Sequence, residues 1–178
     1  MTTEMQPPKL GTSRSTIKWV SFMSEESACY LDGHAFHGMI SITEPGRTAA
    51  IHEDKWGALL RLRFHDLDKQ WQNYKLFNQH YAERIVKWLK ENEDILTTVH
   101  VHCAQGISRS AAVAKFIAEV YRLEFNDSYD LYNKLVYAEL RKYYYGYDPV
   151  ADSPFRDKML GNENNKYDIR FTEGDEDA

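Results

Sequence analysis

The sequence predicts an α/β fold in which a mostly parallel sheet of about four to five strands lies between layers of helices. Short apolar runs typical of strands alternate along the chain with segments of helical periodicity. Consecutive strands joined through helices pair in parallel by right-handed crossovers. A chain of 178 residues with 43% hydrophobic residues is large enough for one core and small for two. We therefore expect a single-domain three-layer sandwich.

Four apolar runs predict the strands. They are "IKWVSFM" (17–23), "HGMISIT" (37–43), "ALLRLRF" (58–64) and "TTVHVH" (97–102). Ser24, followed by Glu25 and Glu26, predicts that a helix begins directly after the first strand. Serine caps helix N-termini, and acidic residues complement the helix dipole in the first turn.

Three longer helices are predicted from apolar residues that recur at spacings of three and four. The first carries Tyr74 and Trp88 at the two ends of its apolar face. The second spans 111–121, and the third begins at Leu131 and runs into "YYYGY". Together with the strands, these helices supply the outer layers of the expected sandwich.

The composition narrows the class of protein. A net charge of −5 gives no reason to expect a nucleic-acid partner, because phosphate backbones are bound by concentrated Lys and Arg. The chain has no apolar run long enough for a membrane span and no apolar leader, so we expect a cytoplasmic protein without a membrane partner. The polar composition of residues 1–15 predicts a flexible arm. We expect residues 16–161 to form the domain and residues 162–178 to form an acidic polar tail.

Two cysteines, Cys29 and Cys103, are too few for a disulfide scaffold and fit a reducing compartment. Cys29 is expected in the core. Cys103 lies in "HVHCAQGISRSAAVAKF" (100–116), where a predicted strand, a short loop and a predicted helix follow one another. Ligands of parallel α/β sheets bind where loops leave the carboxyl ends of the strands. This stretch is therefore the strongest candidate for a functional site.

The loop in this stretch has the features of an anion site. A helix N-terminus presents unpaired N–H groups and a partial positive charge. Gly106 allows the backbone to curl so that successive N–H groups converge. Arg109 can bind two oxygens of a phosphate at once. The same field stabilises a thiolate, so Cys103 is predicted to be a nucleophile rather than an inert core cysteine.

The pattern H-C-x5-R-S, formed by His102, Cys103, Arg109 and Ser110, resembles the signature of the cysteine-dependent protein tyrosine phosphatases. It is most similar to the small dual-specificity branch, and "MISITEPGR" and "LLRLRFHD" resemble its prokaryotic or phage members. No Trp-Pro-Asp motif is present, so the larger tyrosine-specific domain fits less well. The resemblance implies a tyrosine-phosphatase-like fold and hydrolysis of phosphate monoesters through a cysteinyl-phosphate intermediate, without a cofactor or metal.

The resemblance also implies roles for single residues. Cys103 is the expected nucleophile, Ser110 the hydroxyl that assists breakdown of the intermediate, and His102 the residue that supports the loop from behind. The expected phosphate cradle consists of Arg109 and the loop amides, contributed by Ala104, Gln105, Gly106, Ile107, Ser108 and Arg109.

A protonated aspartate is needed to protonate the leaving oxygen, and members of this family carry it on a loop that precedes the cysteine. "RFHDLDKQ" offers two candidates just after the third strand, Asp66 and Asp68. Asp66 is the first choice, because an apolar residue followed by x-Asp at a strand end resembles the family pattern. Asp68 remains the alternative.

The substrate is less well defined by the sequence. The loop between Cys103 and Arg109 contains no lysine, which favours a phosphoprotein over a highly phosphorylated group. Phosphotyrosine is the first expectation, with phosphoserine and phosphothreonine also open. Two alternatives are a catalytically idle phosphate-binding module and an RNA 5′-phosphatase. A metal site at His100 and His102 is disfavoured, because structural histidines are commoner on strands.

Overall fold

The computed structural model describes residues 6–69 and 71–146 of the chain. Its sheet contains four strands, which are β1 (Trp19–Ser24), β2 (His37–Thr43), β3 (Ala58–Arg63) and β4 (Thr98–Cys103). The strands are all parallel and lie in the order β1-β4-β2-β3. The helices are α1 (Glu25–Tyr30), α2 (Gln79–Asn92), α3 (Arg109–Tyr121) and α4 (Lys134–Tyr145), with a short 3-10 turn at Glu53–Lys55. The expected α/β sandwich is confirmed.

The sheet separates two apolar clusters of unequal size. Alternation along β4 directs Val99, Val101 and Cys103 into the larger cluster, which α2, α3 and α4 cover. The smaller cluster lies on the opposite face, where Ala28 of α1 packs with Met39 and Trp56. Because every strand is parallel, the carboxyl ends meet at one edge, and Ser24 pairs with Cys103 there.

Polar side chains fix where the helices begin. The Ser24 hydroxyl accepts a hydrogen bond from the Ser27 amide at 3.1 Å, as the sequence predicts. Asn78 and Asn133 cap α2 and α4 in the same way. The prediction that the first long helix includes Tyr74 is wrong, because the Asn78 cap begins the helix at Gln79.

The segment that precedes α2 is held in a loop instead. The His65 amide donates to the Lys75 carbonyl at 2.7 Å, and the Lys75 amide donates to His65 Nδ1 at 2.9 Å. The third long helix likewise starts later than predicted, at Lys134, and Leu131 before it is exposed. Helix α4 ends at Gly146 in the left-handed conformation.

Two further expectations differ from the structure. Leu10, in the expected flexible arm, is buried, and its amide donates to the Tyr144 hydroxyl at 2.9 Å. Cys29 is exposed rather than in the core, because the short helix α1 buries only Ala28. The predicted tail, 162–178, lies outside the described residues. None of the helices in the described part of the chain has the length and apolarity needed to cross a bilayer.

Histidines line the face of β4 opposite Cys103. His102 is fully buried, and its Nε2 atom lies 2.7 Å from the Ser41 hydroxyl of β2. His100 Nδ1 lies 2.7 Å from the Ser21 hydroxyl, and His100 Nε2 lies 3.2 Å from His37 Nδ1. Burial lowers the pKa of His100 and of His102 to about 4. Both rings are therefore neutral near neutral pH. Their contacts are those of histidines that pack within a sheet.

The lowered pKa of His102 predicts a loss of stability in acid. Its pKa is about 4 in the folded protein against an ordinary value of 6.5, so the unfolded chain binds more protons between these values. The free energy of unfolding should fall by about 2 kcal/mol from this group between about pH 7 and pH 5. Urea denaturation at the two pH values measures this change. In His102→Asn, the decrease in unfolding free energy between pH 7 and pH 5 should be smaller than in wild type by this contribution. An equal decrease in wild type and His102→Asn would contradict the prediction.

Candidate active site

The β4–α3 loop, residues 104–108, crosses the carboxyl edge of the sheet close to the end of β1. Gly106 has φ +69°, and a Cβ atom placed there would lie 2.3 Å from the Met23 carbonyl carbon and from the Ser24 amide nitrogen. Any side chain would collide with this backbone, so only glycine permits the turn. The predicted role of Gly106 in curling the loop thus has a direct steric basis.

The carbonyl groups of the loop are held on its outer side. The oxygens of Ala104, Ile107 and Ser108 accept hydrogen bonds from outside the loop. Their donors are, in the same order, the Glu25 amide at 3.3 Å, the Tyr129 hydroxyl at 2.8 Å and the Asn133 amide at 3.1 Å. In a trans peptide the following N–H points the opposite way. The next amides in the chain therefore point away from these donors.

The amides of the β4–α3 loop are a second feature of the site. Among the described residues, none accepts a hydrogen bond from the amides of 104–108. Ser108 occupies the N-cap position of α3, yet its side chain makes no capping bond and donates to Asp66 Oδ1 at 2.7 Å instead. The first turn of α3 and the loop thus present several free donors together, which is the arrangement that binds an anion.

Cys103 lies beneath this loop beside Ser110. Both residues are buried, and the Cys103 sulfur is 3.2 Å from the Ser110 hydroxyl oxygen. When the sulfur is ionised only the hydroxyl can donate, so Ser110 can stabilise a thiolate at this position. The predicted nucleophile and its predicted hydroxyl partner are therefore in contact.

Arg109 is a buried cation held from two strand ends. Its Nη1 donates to the Phe64 carbonyl at 2.7 Å, and its Nη2 lies 2.7 Å from Glu44 Oε1. The Nε atom has no hydrogen-bond acceptor among the described residues, and Asp66 Oδ2 is its nearest ion-pair partner at 3.6 Å. A buried N–H without an acceptor is costly, so this group is a donor suited to an anionic ligand.

The structure separates the two aspartates. Asp66 Oδ1 accepts hydrogen bonds from the Ser108 hydroxyl at 2.7 Å and from the Asn133 side-chain amide at 2.9 Å. Asp68 is exposed and makes no hydrogen bond or ion pair to any other described residue. Asp66 is therefore the aspartate that lies against the β4–α3 loop, with one carboxylate oxygen tethered and the other facing Arg109.

Three residues of this arrangement were not found by sequence analysis. Glu44 follows β2 at the carboxyl edge, and its position directly after a buried strand is the signal that would have indicated it. Asn133 has the sequence signature of a helix cap, but its side chain also joins Asp66 and the Leu67 carbonyl, at 3.4 Å. Tyr129 carries no local signal, since its contact with Ile107 depends on the tertiary fold.

An open cavity of about 400 Å³ adjoins the site. Its walls come from the carboxyl ends of β2 and β3 and from the loop after β3, and it is lined by Glu44, His65, Asp66, Leu67, Trp71 and Tyr74. Trp71 is 63% exposed, and the His65 and Tyr74 rings meet edge to face. A larger cavity of about 500 Å³ lies between the β3–α2 loop and α4, away from Cys103. The smaller cavity is the one that a ligand of the β4–α3 loop can enter.

Within the described residues, no group of three or more His, Cys, Asp or Glu side chains is arranged to hold a metal ion. Comparison of the chain with protein-family models finds no matching family, and comparison with curated proteins finds no matching relative. The geometry around Cys103 is therefore the observation on which a proposal of function rests.

Proposed function

We propose that this chain is a cysteine-dependent phosphatase that hydrolyses phosphate monoesters on proteins. One observation carries the proposal. The sulfur of Cys103 contacts the hydroxyl of Ser110 in the first turn of α3, the amides of 104–108 have no acceptor among the described residues, and the buried Arg109 beside Ser110 in sequence has an Nε without a hydrogen-bond acceptor among them. Such a site neutralises a phosphoryl dianion while holding a nucleophile against its phosphorus.

In the first chemical step, the Cys103 thiolate attacks phosphorus as the bond to the leaving oxygen breaks. Arg109 and the loop amides stabilise the charge on the three remaining oxygens. Asp66, protonated for this step, gives its proton to the leaving oxygen through the carboxylate oxygen that faces Arg109. The products are the free alcohol and a cysteinyl phosphate.

In the second step, water attacks the phosphorus of this intermediate and the sulfur–phosphorus bond breaks. Asp66, now ionised, accepts a proton from the water. Ser110, 3.2 Å from the sulfur, donates a hydrogen bond to the thiolate as it leaves. Inorganic phosphate is released, and Cys103 and Asp66 return to their starting protonation states.

The cavity beside the site supports an aromatic ester as substrate. Trp71 and Tyr74 contribute aromatic surface to its walls, and Leu67 contributes an aliphatic side chain. The residues between Cys103 and Arg109 have no charged side chain. The site therefore suits a substrate with one phosphate better than one with several. Phosphotyrosine on a cytoplasmic protein is the substrate that we infer, and phosphoserine and phosphothreonine are tested beside it.

Replacement of the nucleophile tests the proposed function directly. Wild-type protein should hydrolyse p-nitrophenyl phosphate and a phosphotyrosine peptide in the presence of EDTA, because Arg109 and the amides supply the positive charge. Cys103→Ser should abolish turnover, since a serine hydroxyl at this position has no base to activate it. Cys29→Ser, which changes the exposed cysteine, is the matched control and should keep full activity.

Other outcomes point elsewhere. Residual activity of Cys103→Ser within tenfold of wild type would rule out covalent catalysis by this residue. A wild-type protein that binds the peptide without turnover would instead indicate an idle binding module. Faster release of phosphate from 5′-phosphorylated RNA than from the peptide would indicate an RNA phosphatase.

The two aspartates form a second matched pair. Asp66→Asn should lower kcat/KM for a phosphotyrosine peptide by roughly 10²–10⁴, because the leaving oxygen loses its proton donor. The loss should be smaller for an activated aryl phosphate, and the alkaline limb of the bell-shaped pH profile should flatten. Asp68→Asn should have little effect. The reverse order in steady-state kinetics would make Asp68 the acid, and losses below about tenfold in both would give the loop only a structural role.

Asn133 is expected to position Asp66 for this step. Asn133→Ser retains a side-chain oxygen to cap α4 but cannot reach Asp66 as an amide donor. We expect kcat for the phosphotyrosine peptide to fall about tenfold while Tm changes little. Asn78→Ser makes the same change at the cap of α2, away from the site, and is the control. Equal kinetics for the two variants would refute the positioning role.

A further inference from the structure

The α3–α4 loop, residues 122–133, touches the β4–α3 loop through one side chain that the proposed chemistry does not use. Tyr129 donates a hydrogen bond from its hydroxyl to the Ile107 carbonyl at 2.8 Å. Its ring is held by two phenylalanines, with centroids 5.2 Å from Phe22 of β1 and 6.4 Å from Phe125. The half-buried ring thus packs against two phenylalanines while its hydroxyl reaches the β4–α3 loop.

Ser108 is anchored through its own carbonyl and hydroxyl, but the carbonyl of the preceding peptide, between Ile107 and Ser108, has one donor among the described residues. The Ile107 side chain is 44% exposed and therefore contributes little packing. No other described group donates a hydrogen bond to the Ile107 carbonyl. The Tyr129 hydroxyl is thus the described group that holds this carbonyl on the outer side of the loop.

The orientation of this peptide matters for an anion. With the Ile107 carbonyl turned outward to Tyr129, the Ser108 N–H points the opposite way and has no acceptor among the described residues. Burial, and then the negative charge of Cys103, raises the pKa of Tyr129. The hydroxyl therefore keeps its proton, and remains a donor, at neutral pH.

We propose that Tyr129 is a positioning residue whose hydroxyl locks the Ile107–Ser108 peptide with its N–H directed at the phosphoryl group. This inference rests on the proposed phosphatase function and assigns the α3–α4 loop a part in it. The N–H contacts an oxygen of the phosphoryl group both in the bound substrate and in the transition state. Loss of the Tyr129 hydrogen bond should therefore weaken the binding of an oxyanion and also slow turnover. Loss of the proton donor would slow turnover without weakening oxyanion binding.

The test compares two tyrosines of the same loop. Tyr129→Phe removes one oxygen and keeps the ring between Phe22 and Phe125. Tyr132→Phe is the control, because the Tyr132 ring contacts lysines but its hydroxyl makes no hydrogen bond to described residues. In Tyr129→Phe, we expect the Kd for tungstate measured by calorimetry to rise roughly 10–150-fold, the fold-change for one hydrogen bond to an anion. Its kcat/KM should fall by a similar factor, with unchanged kinetics in Tyr132→Phe.

The outcomes separate this inference from the proposed function. If wild type is active and Tyr129→Phe stays within twofold of it for both tungstate and kcat/KM, Tyr129 has no positioning role. A lower Tm with unchanged tungstate affinity identifies a purely structural tether and also overturns the inference. If wild type hydrolyses no phosphomonoester but binds tungstate more tightly than Tyr129→Phe, the proposed catalysis fails and the positioning of the peptide stands. If wild type binds no tungstate, both fail.

Discussion

The burial of one cation, Arg109, is the constraint on which the rest of the site depends. A guanidinium removed from water destabilises the fold unless acceptors and an opposite charge surround it. Glu44 supplies the charge from the end of β2, and the Phe64 carbonyl supplies an acceptor from the end of β3. These two partners can reach α3 only if the parallel strands end together at one edge. The buried position of Arg109 therefore depends on the parallel arrangement that brings the ends of β2 and β3 to the start of α3.

That arrangement places two carboxylates near the single guanidinium of Arg109. Glu44 offsets the charge of Arg109, and the second carboxylate, Asp66, lies 3.6 Å from its Nε. In the proposed complex a phosphate dianion takes the donors of the loop and of Nε, and so lies close to Asp66. Asp66 Oδ1 is tethered by Ser108 and Asn133, so Oδ2, the oxygen on the side of Arg109, is the one that would face the bound phosphate.

The parts of this structure that were predictable are those fixed by neighbours in the sequence. Strand β2 has the predicted bounds, and Ser24 caps α1 as predicted, because alternation and capping act over a few residues. The start of α2 was missed, because apolar spacing continued back to Tyr74 while the Asn78 cap determined the actual boundary. Asn133 and Glu44 could not be placed at the site from sequence, since their partners lie in distant segments brought together only by the sheet.

The groups of the site differ in how rigidly the fold holds them. Cys103 ends a central strand and Arg109 begins a buried helix, so their relation depends on the core. Asp66 instead lies on a loop that the His65–Lys75 hydrogen bonds close, and it reaches the site through side chains alone. Side-chain contacts at the surface open at lower free energy than core packing. In the proposed enzyme, the anion cradle is therefore the more rigid part of the site, and Asp66, the proposed proton donor, is the part that moves more easily as substrate enters and product leaves.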